Sequence, residues 1–165
     1  MKKINKTSLV IASIILMFSL KSTAQIIKAE IRATGLTCSM CSNAINKQLK
    51  SMPEVAHIET DLNTNTFTVT LNEGNNLSPK SFKDKVENAG FFIGSLLITA
   101  KSETIANGSY ILIDSNSNPS DTIKFQVLDK GYVTEKEFKK LSKSTKDVAT
   151  YAANNEEDFH IKIIK

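Results

Sequence analysis

A two-residue hydrophobic period recurs three times between residues 25 and 71, and a strand-like apolar run follows at residues 91–100; this pattern most limits the folds open to the chain. In the first stretch Ile27, Ala29 and Ile31 alternate with charged side chains, as expected of a half-buried strand. The second and third stretches are separated by a polar turn at residues 63–65 and therefore predict a β-hairpin. The four predicted strands cover residues 25–33, 55–62, 67–71 and 91–100.

Two helical periods lie between these strands. A stripe of apolar side chains begins at Cys41, and Pro53 ends this first helix. The second helix begins at Ser78 and Pro79, an N-cap followed by proline at the first helical position, and Gly90 caps its C-terminus. The order strand, helix, strand, strand, helix, strand predicts an α+β fold with a four-stranded antiparallel sheet and two helices on one face.

The periodicity lapses in the polar stretch from Lys101 to Asn107, and we place a domain boundary after residue 100. Beyond it the sequence predicts short strands at residues 110–113 and 122–128, a helix that opens with a capping box at residues 134–137, and a closing strand at residues 159–163. Residues 101–165 are therefore predicted to form a small α+β domain of unknown role. Its core is small, so we expect it to pack against the first domain for stability.

The N-terminus has the three parts of a secretory signal peptide. Three lysines within the first six residues precede a 13-residue apolar stretch from Ser8 to Leu20, and Ser22 and Ala24 supply small side chains for a cleavage site. The apolar stretch is short for a membrane span, so an uncleaved anchor is the weaker alternative. We expect removal of residues 1–24 and a periplasmic or secreted mature chain without stable membrane association.

The leader also accounts for the net charge of the chain. Residues 1–24 contain four lysines and no acidic residue, so 21 basic residues less 4 leave 17 in the mature part, against 17 acidic residues. A mature chain with no net charge and no basic run with interleaved aromatic residues is not expected to bind nucleic acid.

The only two cysteines, Cys38 and Cys41, lie in the stretch GLTCSMC at residues 35–41. This stretch leaves the first predicted strand and enters the first predicted helix, where unpaired backbone N–H groups and the helix dipole favour a thiolate. Two thiolates three residues apart can hold one ion in near-linear or bent two-coordinate geometry. Such soft ligands favour Cu(I) and other thiophilic ions.

Cysteines at this spacing also occur in redox proteins, in zinc sites and in structural disulfides. A structural disulfide between Cys38 and Cys41 would close too short a loop to stabilise the fold much. A thiol–disulfide redox protein is the alternative of another class, but the motif lacks a preceding aromatic residue and the hairpin follows the first helix too closely for a thioredoxin order. No catalytic constellation or glycine-rich phosphate loop is present, so we do not expect an enzyme.

The cysteine stretch at residues 35–41, its place between strand and helix, and Ala89-Gly90-Phe91 together resemble the heavy-metal-associated domain family. That family includes small copper chaperones, N-terminal modules of copper-transporting ATPases and periplasmic mercury-binding proteins. The resemblance extends from Ile26 to Leu97. It implies a ferredoxin-like fold for residues 25–100 and a metal ion held by Cys38 and Cys41.

Two positions depart from the pattern of the family. Leu36 stands where the family most often has Met, and a side chain of similar volume should pack equally well under the loop. Met40 stands where small residues are commoner, and it could lend a weak thioether ligand or shield the site. Zn(II) usually has about four ligands, including harder ones than thiolates. No carboxylate flanks the cysteines, so we expect Zn(II) to bind less well than Cu(I) or Hg(II).

The sequence therefore predicts an exported protein that binds Cu(I) and transfers it by ligand exchange. The expected partners are the metal ion and either a copper-transporting ATPase or another exported copper protein. A periplasmic Hg(II)-binding protein is the alternative within the same class. His57 and His160 lie on the polar phase of their strands, and both are predicted to be solvated surface residues rather than ligands.

Overall fold

The computed structural model of the chain describes residues 25–37, 39–106, 109–113, 121–145, 151 and 158–164. The predicted signal peptide at residues 1–24 lies outside the described residues, and so does Cys38. Within the described ranges, no helix combines the length and the apolar composition that crossing a membrane requires.

The predicted order of elements between residues 25 and 100 is confirmed. The strands and helices are β1 (Ile26–Thr34), α1 (Ser39–Lys50), β2 (Val55–Asp61), β3 (Thr66–Leu71), α2 (Pro79–Asn88) and β4 (Phe92–Lys101). Helix α2 begins as its sequence predicts, since the backbone N–H of Ser78 donates to Ser81 Oγ at 3.4 Å and Pro79 occupies the first turn. Gly90 follows this helix with a φ of +87°, a conformation that favours glycine.

Among its described residues, the C-terminal segment adds a short helix, three strands and a longer helix. These are α3 (Glu103–Ala106), β5 (Tyr110–Leu112), β6 (Thr122–Val127), α4 (Glu135–Ser144) and β7 (Phe159–Ile164). The capping box predicted at residues 134–137 is present in its first half, because the side chain of Thr134 accepts a hydrogen bond from the backbone N–H of Glu137 at 3.3 Å.

The seven strands within the described part of the chain form one sheet in the order β2-β3-β1-β4-β6-β7-β5. The prediction of a separate four-stranded sheet is therefore wrong in its strand count. Strand β4 does not end the sheet, because β6 pairs with it antiparallel from Leu96↔Val127 to Lys101↔Thr122 and satisfies the backbone groups of that edge. Strand β5 pairs parallel with β7, which makes the sheet mixed.

The hydrophobic core is continuous across residue 100. Phe125 and Ile161 of the C-terminal strands belong to the same buried cluster as Ile31, Ile98 and Phe67. The two predicted units therefore share packing, and the domain boundary after residue 100 stays a prediction.

An ion pair on the opposite face of β1 also links the two units. Lys124 Nζ lies 2.9 Å from both carboxylate oxygens of Glu30, and Lys28 Nζ lies 3.1 Å from Glu30 Oε1. Partial burial alone would raise the pKa of Glu30, but the hydrogen bonds and charges of Lys124 and Lys28 outweigh this effect and hold the pKa below its usual value.

A second, smaller buried cluster lies under helix α4. Leu128, Val133 and Tyr151 form its centre, and Phe138 and Leu141 of α4 pack against it. The Tyr151 hydroxyl donates to the backbone carbonyl of Leu128 at 2.8 Å, so this buried tyrosine has a hydrogen-bond partner.

The second cluster covers His160, and the prediction of a solvated His160 is wrong. Its side chain is fully buried, with Nδ1 2.7 Å from Asp129 Oδ1 and the Tyr151 ring 5.0 Å away. Burial raises the pKa of Asp129, and the hydrogen bonds from His160 oppose this effect. His57, in contrast, is exposed as predicted and lies 3.8 Å from Glu59.

Candidate metal centre

The loop that precedes α1 begins where β1 ends. Thr34 pairs with Phe92 at the start of β4, and Gly35 then turns the chain with a φ of +84°. A side chain at Gly35 would be strained in this conformation, because L-residues rarely adopt it. The ring of Phe91 lies beneath the turn, 3.9 Å from the point that a Cβ of residue 35 would occupy.

Leu36 and Thr37 carry the chain from this turn towards α1. Leu36 is half-buried and packs against the main core, as expected of the residue that replaces the usual Met of the family. Thr37 is exposed. The apolar contact of Leu36 fixes one side of the loop to the core, while the opposite side faces solvent.

Of the two predicted ligands, Cys41 lies in the first turn of α1 and is half-buried. The first turn of a helix carries backbone N–H groups without intrahelical partners, and these groups stabilise negative charge on a nearby sulfur. Met40 is 78% exposed and therefore does not contribute to the core. Cys38 lies outside the described residues, so its pairing with Cys41 stays a prediction.

Two other turns lie at the same end of the sheet as this loop. The β2–β3 hairpin turn is joined to β1 by a hydrogen bond of 3.0 Å from the Ala33 N–H to the Asn65 carbonyl, and Asn65 has a φ of +54°. The Gly90–Phe91 turn leads into β4 beside Thr34. The loop at residues 35–37, the proposed metal loop, thus has a turn on either side.

Within the part of the chain that the structure describes, no three His, Cys, Asp or Glu side chains are placed to share one metal ion. The sequence patterns did not indicate that Leu62 and Phe92 are exposed. Both lie at the same end of the sheet as the proposed metal loop. Phe92 could have been noticed as a second aromatic residue directly after the one expected at position 91.

The segment that carries the cysteines matches a known family. The model of the heavy-metal-associated domain matches residues 30–92, from within β1 to the first residue of β4, and this range includes Cys38 and Cys41. Residues 30–92 belong to the heavy-metal-associated domain family.

Relatives of this heavy-metal-associated domain are copper-transport proteins. The copper-transporting ATPase of Saccharomyces cerevisiae is 39% identical over 57 residues, which are 34% of this chain and 6% of that protein. Among solved structures, the yeast copper transporter domain CCC2A, studied in its apo and Cu(I)-loaded states, shares 34% identity over 39% of this chain and 88% of that chain, with a TM-score of 0.36. The N-terminal domain of a potential copper-translocating P-type ATPase from Bacillus subtilis, in the Cu(I)-loaded state, shares 31% identity over 41% of this chain and 82% of that chain, with a TM-score of 0.36.

Proposed function

We propose that this chain binds Cu(I) through Cys38 and Cys41 and passes the ion to another copper protein. The match of residues 30–92 to the heavy-metal-associated domain, with both cysteines inside it, is the observation that carries this proposal. The 39% identity with part of a copper-transporting ATPase favours copper as the cargo.

The position of Cys41 supports the first step, which is capture of the ion. A thiolate in the first turn of a helix is stabilised by unpaired N–H groups and by the helix dipole. Soft thiolates suit Cu(I), which accepts as few as two ligands. Binding at neutral pH would release the thiol protons to solvent.

Transfer would then proceed by ligand exchange, with copper remaining Cu(I) throughout. A thiolate of the acceptor forms a bond to the ion and gives a three-coordinate intermediate. One bond from Cys38 or Cys41 then breaks, the freed thiolate takes up a proton, and a second exchange completes the transfer. The proposed role is carriage of the ion rather than catalysis.

The leader sequence at residues 1–24 supports an exported location, so the acceptor would be an exported copper protein or an exposed part of a copper transporter. Such a compartment is oxidising, and a disulfide between Cys38 and Cys41 would remove both ligands. We therefore propose that the reduced thiols carry the metal. The same chemistry keeps the thiol–disulfide redox function as the second candidate.

Metal selectivity provides the test of this proposal. In anaerobic titrations of the reduced chain, we expect Zn(II) to bind about 100-fold or more weakly than Cu(I), because two thiolates leave a tetrahedral ion short of ligands. The variant Thr37→Asp should narrow this difference by adding a hard oxygen ligand beside Cys38. The control Thr70→Asp makes the same change at an exposed position of β3 and should not.

Zn(II) affinity comparable to that of Cu(I) in the monomeric wild-type chain would contradict the two-thiolate site. Loss of Cu(I) to a competing chelator with no measurable retention by the reduced chain would instead favour the redox function.

A further inference from the structure

Exposed apolar side chains gather at the end of the molecule that carries the metal loop. Among the described residues, the exposed large hydrophobic side chains are Met40, Leu62 and Phe92. Met40 lies in the first turn of α1, Leu62 at the β2–β3 turn and Phe92 at the start of β4, so all three lie at this one end. Of the three, Phe92 adjoins a cleft and is therefore the one considered as a contact residue.

A cleft of about 700 Å³ opens beside Phe92. One side of the cleft is formed by Thr34 and by Lys83 and Glu87 of α2, which belong to the heavy-metal-associated domain. The other side is formed by residues 130–135 of the C-terminal segment. The C-terminal segment therefore adds a wall that the family domain does not contain.

This wall packs closely against the domain. Val133 forms a β-bridge with Ser95, and Lys83 Nζ lies 5.9 Å from the centre of the Tyr132 ring. Gly131 has a φ of +89°, and a Cβ at this position would lie only 2.7 Å from Lys83 Cε. The backbone conformation therefore favours glycine at this position, and the absence of a side chain leaves room for the end of the Lys83 side chain beside it.

The charges along the cleft are balanced. Lys83 and Glu87 form an ion pair at 3.6 Å, and the exposed Lys130 and Glu135 add one charge of each sign. A surface with both signs and no net charge can be complementary to itself when two copies meet across a two-fold axis.

We propose that a second copy of this chain occupies the cleft, in a symmetric dimer in which Phe92 of each copy enters the cleft of the other. A projecting aromatic side chain and a cleft that adjoin each other on one surface meet the requirement of a two-fold interface, where the same patch serves on both sides. Lys130 of one copy would then face Glu135 of the other, and the reverse pair would form as well.

The dimer would bring the two metal loops to the same interface, because Phe92 and the loop lie at one end of the sheet. Association would thus restrict access to the bound ion, and dissociation would expose it for transfer. This consequence rests on the proposed function, whereas the dimer itself does not depend on metal.

Sedimentation equilibrium of the reduced, metal-free chain from Gln25 to Lys165, at concentrations up to about 1 mM, tests the proposal. We expect the average mass to rise towards that of two chains. The variant Phe92→Asp should weaken association by more than about tenfold, because it replaces the entering ring with a charge. The control Asn76→Asp adds the same charge in an exposed loop at the opposite end and should leave association unchanged.

A charge exchange tests the orientation. Lys130→Glu and Glu135→Lys should each weaken association, and the double variant should restore it, with thermal unfolding used to confirm that all variants are folded.

A monomeric wild-type chain over the whole range, or a Phe92→Asp variant that associates as the wild type does, would overturn the proposal. Association that requires added Cu(I) and disappears in Cys38→Ser would also overturn it, because the contact would then be a metal bridge. Failure of the chain to bind Cu(I) would leave the metal-free dimer standing and would count against the proposed function alone.

Discussion

Replacement of either Cys38 or Cys41 with serine should lower the affinity for Cu(I) by about 1000-fold or more, because a neutral hydroxyl is a hard and weak ligand for a soft ion. One thiolate would remain in each variant, and a single sulfur cannot supply the two-coordinate geometry. The fold should survive, since Cys41 is only half-buried and serine is close to it in size. Anaerobic competition with a Cu(I) chelator measures the change.

The variant Met40→Leu is the matched control, because it keeps the apolar bulk and removes the thioether. Met40 is exposed in the first turn of α1, and we expect its replacement to leave the affinity within about threefold of the wild type. A large loss in Met40→Leu would assign the thioether to the ion. Wild-type affinity in both cysteine variants would refute the assigned site.

The second large effect is expected from Asp129→Ala, which should lower the free energy of unfolding by about 3–5 kcal/mol at neutral pH. Asp129 accepts two hydrogen bonds of 2.7 Å, one from the backbone N–H of His160 and one shared with its ring Nδ1. His160 is fully buried, so the variant would remove the Asp129 carboxylate from both groups at a site that is shielded from solvent. Urea-induced unfolding measures the loss.

Asp121→Ala is the control for this prediction, because it removes the same charge from an exposed residue in the same segment. It should change the free energy of unfolding by less than about 0.5 kcal/mol. If Asp129→Ala fails to fold, Asp129→Asn provides a milder change that retains an acceptor oxygen and should still lose stability. A loss below about 1 kcal/mol in both variants would show that the buried pair does not hold the C-terminal segment together.

Local periodicity predicted the elements of this chain better than it predicted their partners. The alternation of Ile123, Phe125 and Val127 identifies a strand, but the same alternation fits a strand in a separate domain and one that pairs with β4. Strand pairing is decided by backbone edges that are distant in the sequence, and these edges leave no local pattern. The local sequence therefore predicted that β5, β6 and β7 are strands but did not indicate their neighbours in the sheet.

His160 illustrates the same distinction for a single side chain. Its alternation with Phe159 and Ile161 correctly placed it on the opposite face of β7. What covers that face is Tyr151, which follows helix α4 and contacts His160 through a tertiary arrangement. A polar residue between two apolar ones can thus be buried when a second layer packs on the outer face, and Asp129 was the partner that only the structure revealed.

The sequence signal for the proposed metal site is local. The two cysteines, the strand before them and the helix after them lie within one short stretch, and the expected packing of Leu36 was confirmed. The cleft beside Phe92 was not predictable, because its walls come from β1, α2, β4 and residues 130–135. A surface formed by four segments that are distant in the sequence cannot be predicted from a short motif.

Copper K-edge X-ray absorption spectroscopy of the reduced chain, loaded anaerobically with one equivalent of Cu(I), tests the central claim most directly. We expect two sulfur atoms to bind each copper ion, with no nitrogen or oxygen ligand. We also expect the double variant Cys38→Ser, Cys41→Ser to retain no copper after desalting. Nitrogen or oxygen ligands in the loaded wild-type chain, or copper retained by the double variant with an unchanged spectrum, would contradict the assignment of Cys38 and Cys41 as the metal site.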